Sequence, residues 1–175
     1  MSDDRHAPSD RCPDCGAETA GRAGCQELFD EVLAREFGDY QYARFHRLTV
    51  DTYSLQHPQD YMRSAKSFAA HLIGICAALD RDDTIAVNQA VVRWLNASAP
   101  IDWPEDVPAL ERGQLTIVHL HSASDPEEHV NRVREWALST WTAWDRYHAL
   151  ARQWIERALK ANEDRLLWHD RRKSE

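Results

Sequence analysis

Three of the chain's four cysteines fall in one short stretch, "CPDCGAETAGRAGC", as Cys12, Cys15 and Cys25. The C-P-x-C-G spacing of Cys12 and Cys15 is that of a zinc knuckle. Two thiolates grip one ion while backbone amides point at the sulfurs, and the following glycine permits the tight turn. Cys25 adds a third thiolate at the expected start of a helix, where the dipole favours negative sulfur. A thioredoxin-type redox pair needs a strand before it and a helix opening on it, and no such unit is present. A structural zinc site takes four protein ligands, so a fourth is required. If the first two helices form an antiparallel hairpin about Gly38, Cys25 comes level with the end of the second, where His57 stands in "LQHP". His46 lies about 16 Å back along the axis at 1.5 Å per residue and should face the middle of helix one. The expected metal ligands are therefore Cys12, Cys15, Cys25 and His57, holding Zn2+. His46 remains the competing fourth ligand, and a helix-end cap is the competing role for His57. Four protein ligands close a tetrahedral site against water, which makes the metal structural.

A second set of residues could do catalysis. His46, His71 and His148 lie on the expected inner faces of three different helices. Histidines from separate helices of a bundle can hold a metal with an open position or serve as general acids and bases. The competing reading is three unrelated core or rim histidines, each hydrogen-bonded locally. Asp51 and Gln56 are polar neighbours on the second helix. His119, His121 and His129 sit at a segment boundary, where H-x-H more often places both rings at a solvated edge. Cys76, in an apolar helix, reads as a buried inert thiol.

The elements that must position these groups are helical. Leu28, Phe29, Val32, Leu33 and Phe37 mark a helix from about 25 to 38. A second spans 40–57 and stops there because Pro58 disfavours helical geometry at His57. A third spans 63–80, apolar on more than half its surface and so central. A fourth covers 86–98. The segment 100–125 has three prolines in "PIDWPEDVP", and "LTIVHLH" within it finds no strand partner, so the whole reads as irregular. "SDPEEHV" is a strong helix start, with Asp125 or Ser124 as cap and Pro126 at the first position. Val130, Val133, Ala137, Trp141, Trp144, His148, Ala151 and Ile155 then predict one helix from 126 to about 161. The fold class expected is all-α, a bundle of about five helices with an N-terminal zinc-knuckle-like loop. Residues 1–11 read as disordered, 12–161 as a single domain, and 162–175 as a charged, frayed helical tail.

Totals narrow the classes. A chain of 175 residues with 43% apolar residues has enough length for one real core. The formal net charge of −8 argues against nucleic-acid binding by bulk electrostatics, leaving only a local patch at Arg171, Arg172 and Lys173. No apolar run approaches the roughly 20 residues of a membrane helix, and the first residues lack a signal-peptide stretch. These features predict a cytoplasmic protein, where thiols stay reduced. Trp136, Trp141, Trp144 and Trp154 have helical spacing, which favours packing or a homodimer interface over a cofactor box.

"CPDCGA", Cys25 and "HRLTVDTYSLQHP", followed by "SFAAHLIGICAALD", "GQLTIVHL" and "WALSTWTAWDRYHALARQW", resemble an uncharacterised bacterial family of the domain-of-unknown-function type. The resemblance runs from Cys12 to about Arg157 and carries no established activity. It implies that His46, Asp51, Tyr53, Gln56, His57, His71 and His148 are worth testing. At the level of fold there is an analogy to DinB-like helical bundles, which gather histidines from separate helices about one metal. The leading expectation is a zinc-stabilised bundle acting as a binding or regulatory module. The alternative is a metal-dependent hydrolase or transferase using His46, His71 and His148. A third is a tryptophan-lined small-molecule pocket without catalysis.

Overall fold

The computed structural model describes residues 10–81, 84–97, 101 and 112–173, with the side chains of 169–171 and 173 excepted. Most of "PIDWPEDVP", residues 1–9, residues 82–83 and part of the basic patch at 171–173 lie outside that description. Among the described residues the chain is all-α, and a single β-bridge, Arg11 to Glu18, closes the cysteine loop. The α-helices are α1 (Gly21–Gly38), α2 (His46–Gln56), α3 (Pro58–Tyr61), α4 (Ala65–Asp80), α5 (Thr84–Asn96), α6 (Ile117–His121), α7 (Pro126–Ala143) and α8 (His148–Lys173). Short 3-10 turns at Ala43–Phe45 and Asp145–Tyr147 lead into α2 and α8. The five expected helices are all present. Two short ones are added and the last is cut in two.

Local signals explain most boundaries. Ser64 accepts a hydrogen bond from the Ser67 amide at 3.1 Å and opens α4. Asp125 does the same for α7, accepting from the Glu128 amide at 2.9 Å, with Pro126 at the first helical position. α2 ends at Gln56, as Pro58 requires. Elsewhere the boundaries differ from expectation. α1 starts at Gly21, four residues early, so Cys25 is its fifth residue and not its N-terminus. The expected helix over 40–57 begins as a 3-10 turn, and Phe45 (φ −123°, ψ 22°) breaks it before His46. "LTIVHLH" is not irregular throughout: it forms α6, one short helix that buries Ile117 and Leu120 and turns His119 and His121 outward.

The largest difference is at Trp144 (φ −94°, ψ 22°), where the expected helix over 126–161 ends and restarts. α7 packs chiefly on α2 and α6 and also touches α4, whereas α8 packs on α4 and α5, so the break lets one stretch of chain cover both faces. His148 pins the corner: its Nε2–H donates to the Trp141 carbonyl at 2.8 Å, and its ring stacks on Trp141 at 3.6 Å. α8 then continues to Lys173, and the expected frayed tail is helix. Trp136, Trp144 and Trp154 are fully buried, with Trp144 and Trp154 packed about Phe68, so they fill the core rather than line a cavity.

α2 is the hub, packed against α1, α4 and α7. It is buried almost all round although it carries Thr49, Asp51, Thr52, Ser54 and Gln56. A buried polar group must find a partner or lose about 1–3 kcal/mol. Thr52 donates to the Leu48 carbonyl at 2.7 Å. Gln56 donates to the carbonyls of Arg112 and Leu115 and accepts from the Trp136 indole at 3.0 Å. It thereby ties the segment before α6 to both α2 and α7. No helix among the described residues is long and apolar enough to cross a membrane.

Candidate metal centre

The knuckle is built by backbone. The Cys12 amide donates to the Ala17 carbonyl at 2.8 Å and the Gly16 amide to the Cys12 carbonyl at 2.9 Å, with Gly16 at φ +78°. That left-handed φ is the conformation only glycine adopts freely. The Ala17 amide points at Cys15 Sγ at 3.4 Å. Arg22 of α1 pairs with buried Asp14 at 2.6 Å and with Asp60 of α3 at 2.7 Å, clamping the loop over both helices.

α1 and α2 run antiparallel in one register. Cys25 meets His57; four residues on, Phe29 stacks on Tyr53 at 3.8 Å; seven further, Glu36 meets His46. His46 thus faces the C-terminal end of α1, beyond the expected mid-helix position. The ligand atoms of Cys12, Cys15, Cys25 and His57 all lie within 4.8 Å of one another, and all four residues are buried. His57 Nε2 is 3.6 Å from Cys12 Sγ and 3.4 Å from Cys25 Sγ, and Cys15 Sγ is 3.6 Å from Cys25 Sγ. A tetrahedron with metal–sulfur bonds of about 2.3 Å and metal–nitrogen bonds of about 2.0–2.1 Å has edges of roughly 3.5–3.8 Å. The three short separations match such edges, and the four side chains could hold a metal ion.

The supporting groups suit that use. His57 Nδ1–H donates to the Tyr53 carbonyl at 2.8 Å, which fixes the tautomer and leaves the Nε2 lone pair facing the sulfurs. The Tyr53 hydroxyl donates to Cys25 Sγ at 3.7 Å and its ring stacks on His57 at 3.9 Å. Cys25 sits in the second turn of α1, so this hydroxyl, not the helix dipole, stabilises its sulfur. Without a cation the three sulfurs crowd one another. The Cys25 thiol, hydrogen-bonded to Cys15 and buried, is pushed far up. The same hydrogen bond from Cys25 lowers Cys15 to about 4, while burial raises Cys12. One thiolate solvated by protonated neighbours is what such a pocket tolerates alone; a divalent cation allows three.

The structure gives the other three candidate histidines separate partners. His46 Nδ1 meets Glu36 at 2.7 Å, His71 Nδ1 meets Asp51 at 2.9 Å, and His148 holds the Trp141 carbonyl. They form no shared metal-ligand group among the described residues. Sequence reasoning missed Glu36 and placed His129 at a segment boundary, whereas it is buried in α7. Glu36 is buried and accepts from Thr49 at 2.6 Å and from His129 at 3.0 Å, as well as from His46. Phe37, expected in the core, is 76% exposed. The spacing Cys25, Phe29, Val32, Glu36 was the available sign, since these are the buried residues of α1. His119 and His121 reach the surface and pair with Glu135 and Glu31 at 2.8 and 2.7 Å.

A family model, described as a family of unknown function (DUF5946), matches residues 10–145. The chain belongs to DUF5946. The matched span contains the knuckle, Cys25, all of α2 and His57, and it ends just past Trp144, so the DUF5946 match stops short of α8. No curated protein and no solved structure matches the chain.

Proposed function

We propose that this DUF5946 protein binds one Zn2+ through Cys12, Cys15, Cys25 and His57, and that the metal is structural. The observation that carries the reading is the convergence of three sulfurs and one correctly tautomerised imidazole nitrogen, all sealed from solvent. Three thiolates with one imidazole favour zinc over harder cations. The metal would lock the N-terminal loop to α1 and the end of α2, so that its binding energy becomes folding energy. A closed site leaves no position for substrate, which supports a binding or regulatory module. Four unpaired cysteines suit a reducing, cytoplasmic setting. Leu166, Leu167 and Trp168, each about half exposed on the end of α8, support a homodimer as partner; sedimentation velocity of the wild type against Trp168→Ala tests it. The metal-dependent hydrolase or transferase reading needs His46, His71 and His148 on one ion, and their separate partners give it no support.

Elemental mass spectrometry on protein purified without chelators tests the assignment. The wild type and His46→Ala should each carry one zinc per chain, and Cys15→Ser and His57→Ala should lose it. A metal-free wild type would overturn the zinc site. A second metal equivalent that disappears with His46→Ala would return the bundle histidines to catalysis.

A further inference from the structure

A cavity of about 460 Å³ opens where the start of α2 faces the middle of α4 and the first turns of α5. Its size falls within the roughly 300–1,000 Å³ of small-molecule sites. In a chain of net charge −8, the described residues lining it include no carboxylate. They do include Arg44, His46 and Arg47. A larger cavity of about 870 Å³ beside Tyr40 mixes Arg44 and Arg134 with Asp125 and Glu127 and has no such bias.

Buried carboxylates hold Arg47 and His46 from outside the cavity. Asp51, with no exposed side-chain surface, accepts from Arg47 Nε at 2.7 Å. Glu36, equally buried, fixes His46 through Nδ1. His46 Nε2 has no partner among the described residues and is not sealed from solvent. Arg44 is exposed and has no hydrogen bond or ion pair among the described residues. Gly74, on the α4 side of the cavity, admits Asp51 to the helix interface: a Cβ there would stand 1.9 Å from Asp51 Oδ2. Phe45, Leu48 and Ala78 supply an apolar part of the wall, and Thr84 and Asn88 of α5 a polar one.

We infer that this cavity binds a small organic acid. Its carboxylate meets Arg44, Arg47 and His46, and its apolar body lies against Phe45, Leu48 and Ala78. Positioned cations over an apolar floor select an anion with a hydrocarbon part over a bare oxyanion or a neutral analogue. The site is separate from the metal centre, at the opposite end of α2 from His57.

The experiment titrates the full-length, metal-loaded protein with benzoate and hexanoate, and in parallel with benzyl alcohol and inorganic phosphate, following the amides of Gly74 and Ala78 by NMR. At least one acid should bind at about 10 mM or tighter, the affinity of an ordinary fragment of this size. Benzyl alcohol and phosphate should bind about tenfold more weakly, the share of one charge-assisted hydrogen bond. Arg44→Gln, on an exposed side chain, should weaken the acid about tenfold with unchanged melting, and Ala78→Leu should abolish binding by filling the space. Failure of both acids, equal binding of the alcohol, tighter binding of phosphate, or wild-type affinity in Arg44→Gln would each overturn the inference.

Discussion

Replacing Gly74 by alanine puts the packing of α2 on α4 to a quantitative test. The new Cβ would stand 1.9 Å from Asp51 Oδ2 and 2.6 Å from its Cγ. Ordinary contact needs well over 3 Å, so the carboxylate must move by more than ~1 Å or the helices must part. Moving is costly because Arg47 Nε and His71 Nδ1 hold the two oxygens at 2.7 and 2.9 Å and no side-chain surface of Asp51 is exposed. Arg47 is half exposed, but Asp51 is not, and stranding a buried carboxylate from its partners costs up to about 3–5 kcal/mol. Alanine returns about 1 kcal/mol of helix propensity over glycine. The expected net loss is about 2–4 kcal/mol, or roughly 5–15 °C in melting temperature for a chain of this size. Urea unfolding followed by circular dichroism measures it. The cause is checked in an Asp51→Ala background, where the clash is gone and Gly74→Ala should become neutral or stabilising by up to about 1 kcal/mol. Additive losses in the double variant, or a single variant as stable as the wild type, would refute the reasoning.

Thiol counting separates the cysteines: zinc-loaded protein should show no fast-reacting thiol, chelated protein should first expose Cys15, the one thiol held low, and unfolded protein should show all four, because burial raises Cys12 and Cys76, the latter up to about 11, and the hydrogen bond to Cys15 together with burial raises Cys25. Glu128 is lowered from 4.5 to about 2, first by hydrogen bonds from the Ser124 hydroxyl and amide and then by Arg132. A depressed folded-state value contributes stability above pH 4.5 that is lost as pH falls toward 2. Glu128→Gln should therefore flatten that part of the acid unfolding curve and lower stability at neutral pH. Gln56→Leu strips partners from the Trp136 indole and from the Arg112 and Leu115 carbonyls, and should cost about 2–4 kcal/mol in urea unfolding. Zinc retention should fall as pH is lowered, since protons compete for the sulfurs and for His57 Nε2, and dialysis followed by elemental analysis measures that curve.

The clustering of Cys12, Cys15, Cys25 and His57 was legible in the sequence because its determinants are local or one-dimensional. Cys12, Cys15 and Gly16 form a turn within five residues, Pro58 fixes where α2 stops, and a helix rises the same 1.5 Å per residue everywhere. An antiparallel pair therefore brings Cys25 level with His57 by counting alone, and His71 level with the stretch around Asp51. The capped start of α7 and the apolar stripes of α1, α4 and α5 are equally local. Phe37 shows where the pattern misleads: it matched the stripe, but Glu36 took the buried position. That exchange follows from His129, which approaches Glu36 from 93 residues away and makes a buried carboxylate affordable. The partners of Asp51 and Gln56 were hidden for the same reason, since a polar side chain in a helix gives no sign of which distant element will satisfy it. The turn at Trp144 has no glycine or proline to announce it, and the apolar stripe runs through it with its period intact. Only the need to cover both α2 and the α4–α5 face decides that one stretch of chain becomes two helices.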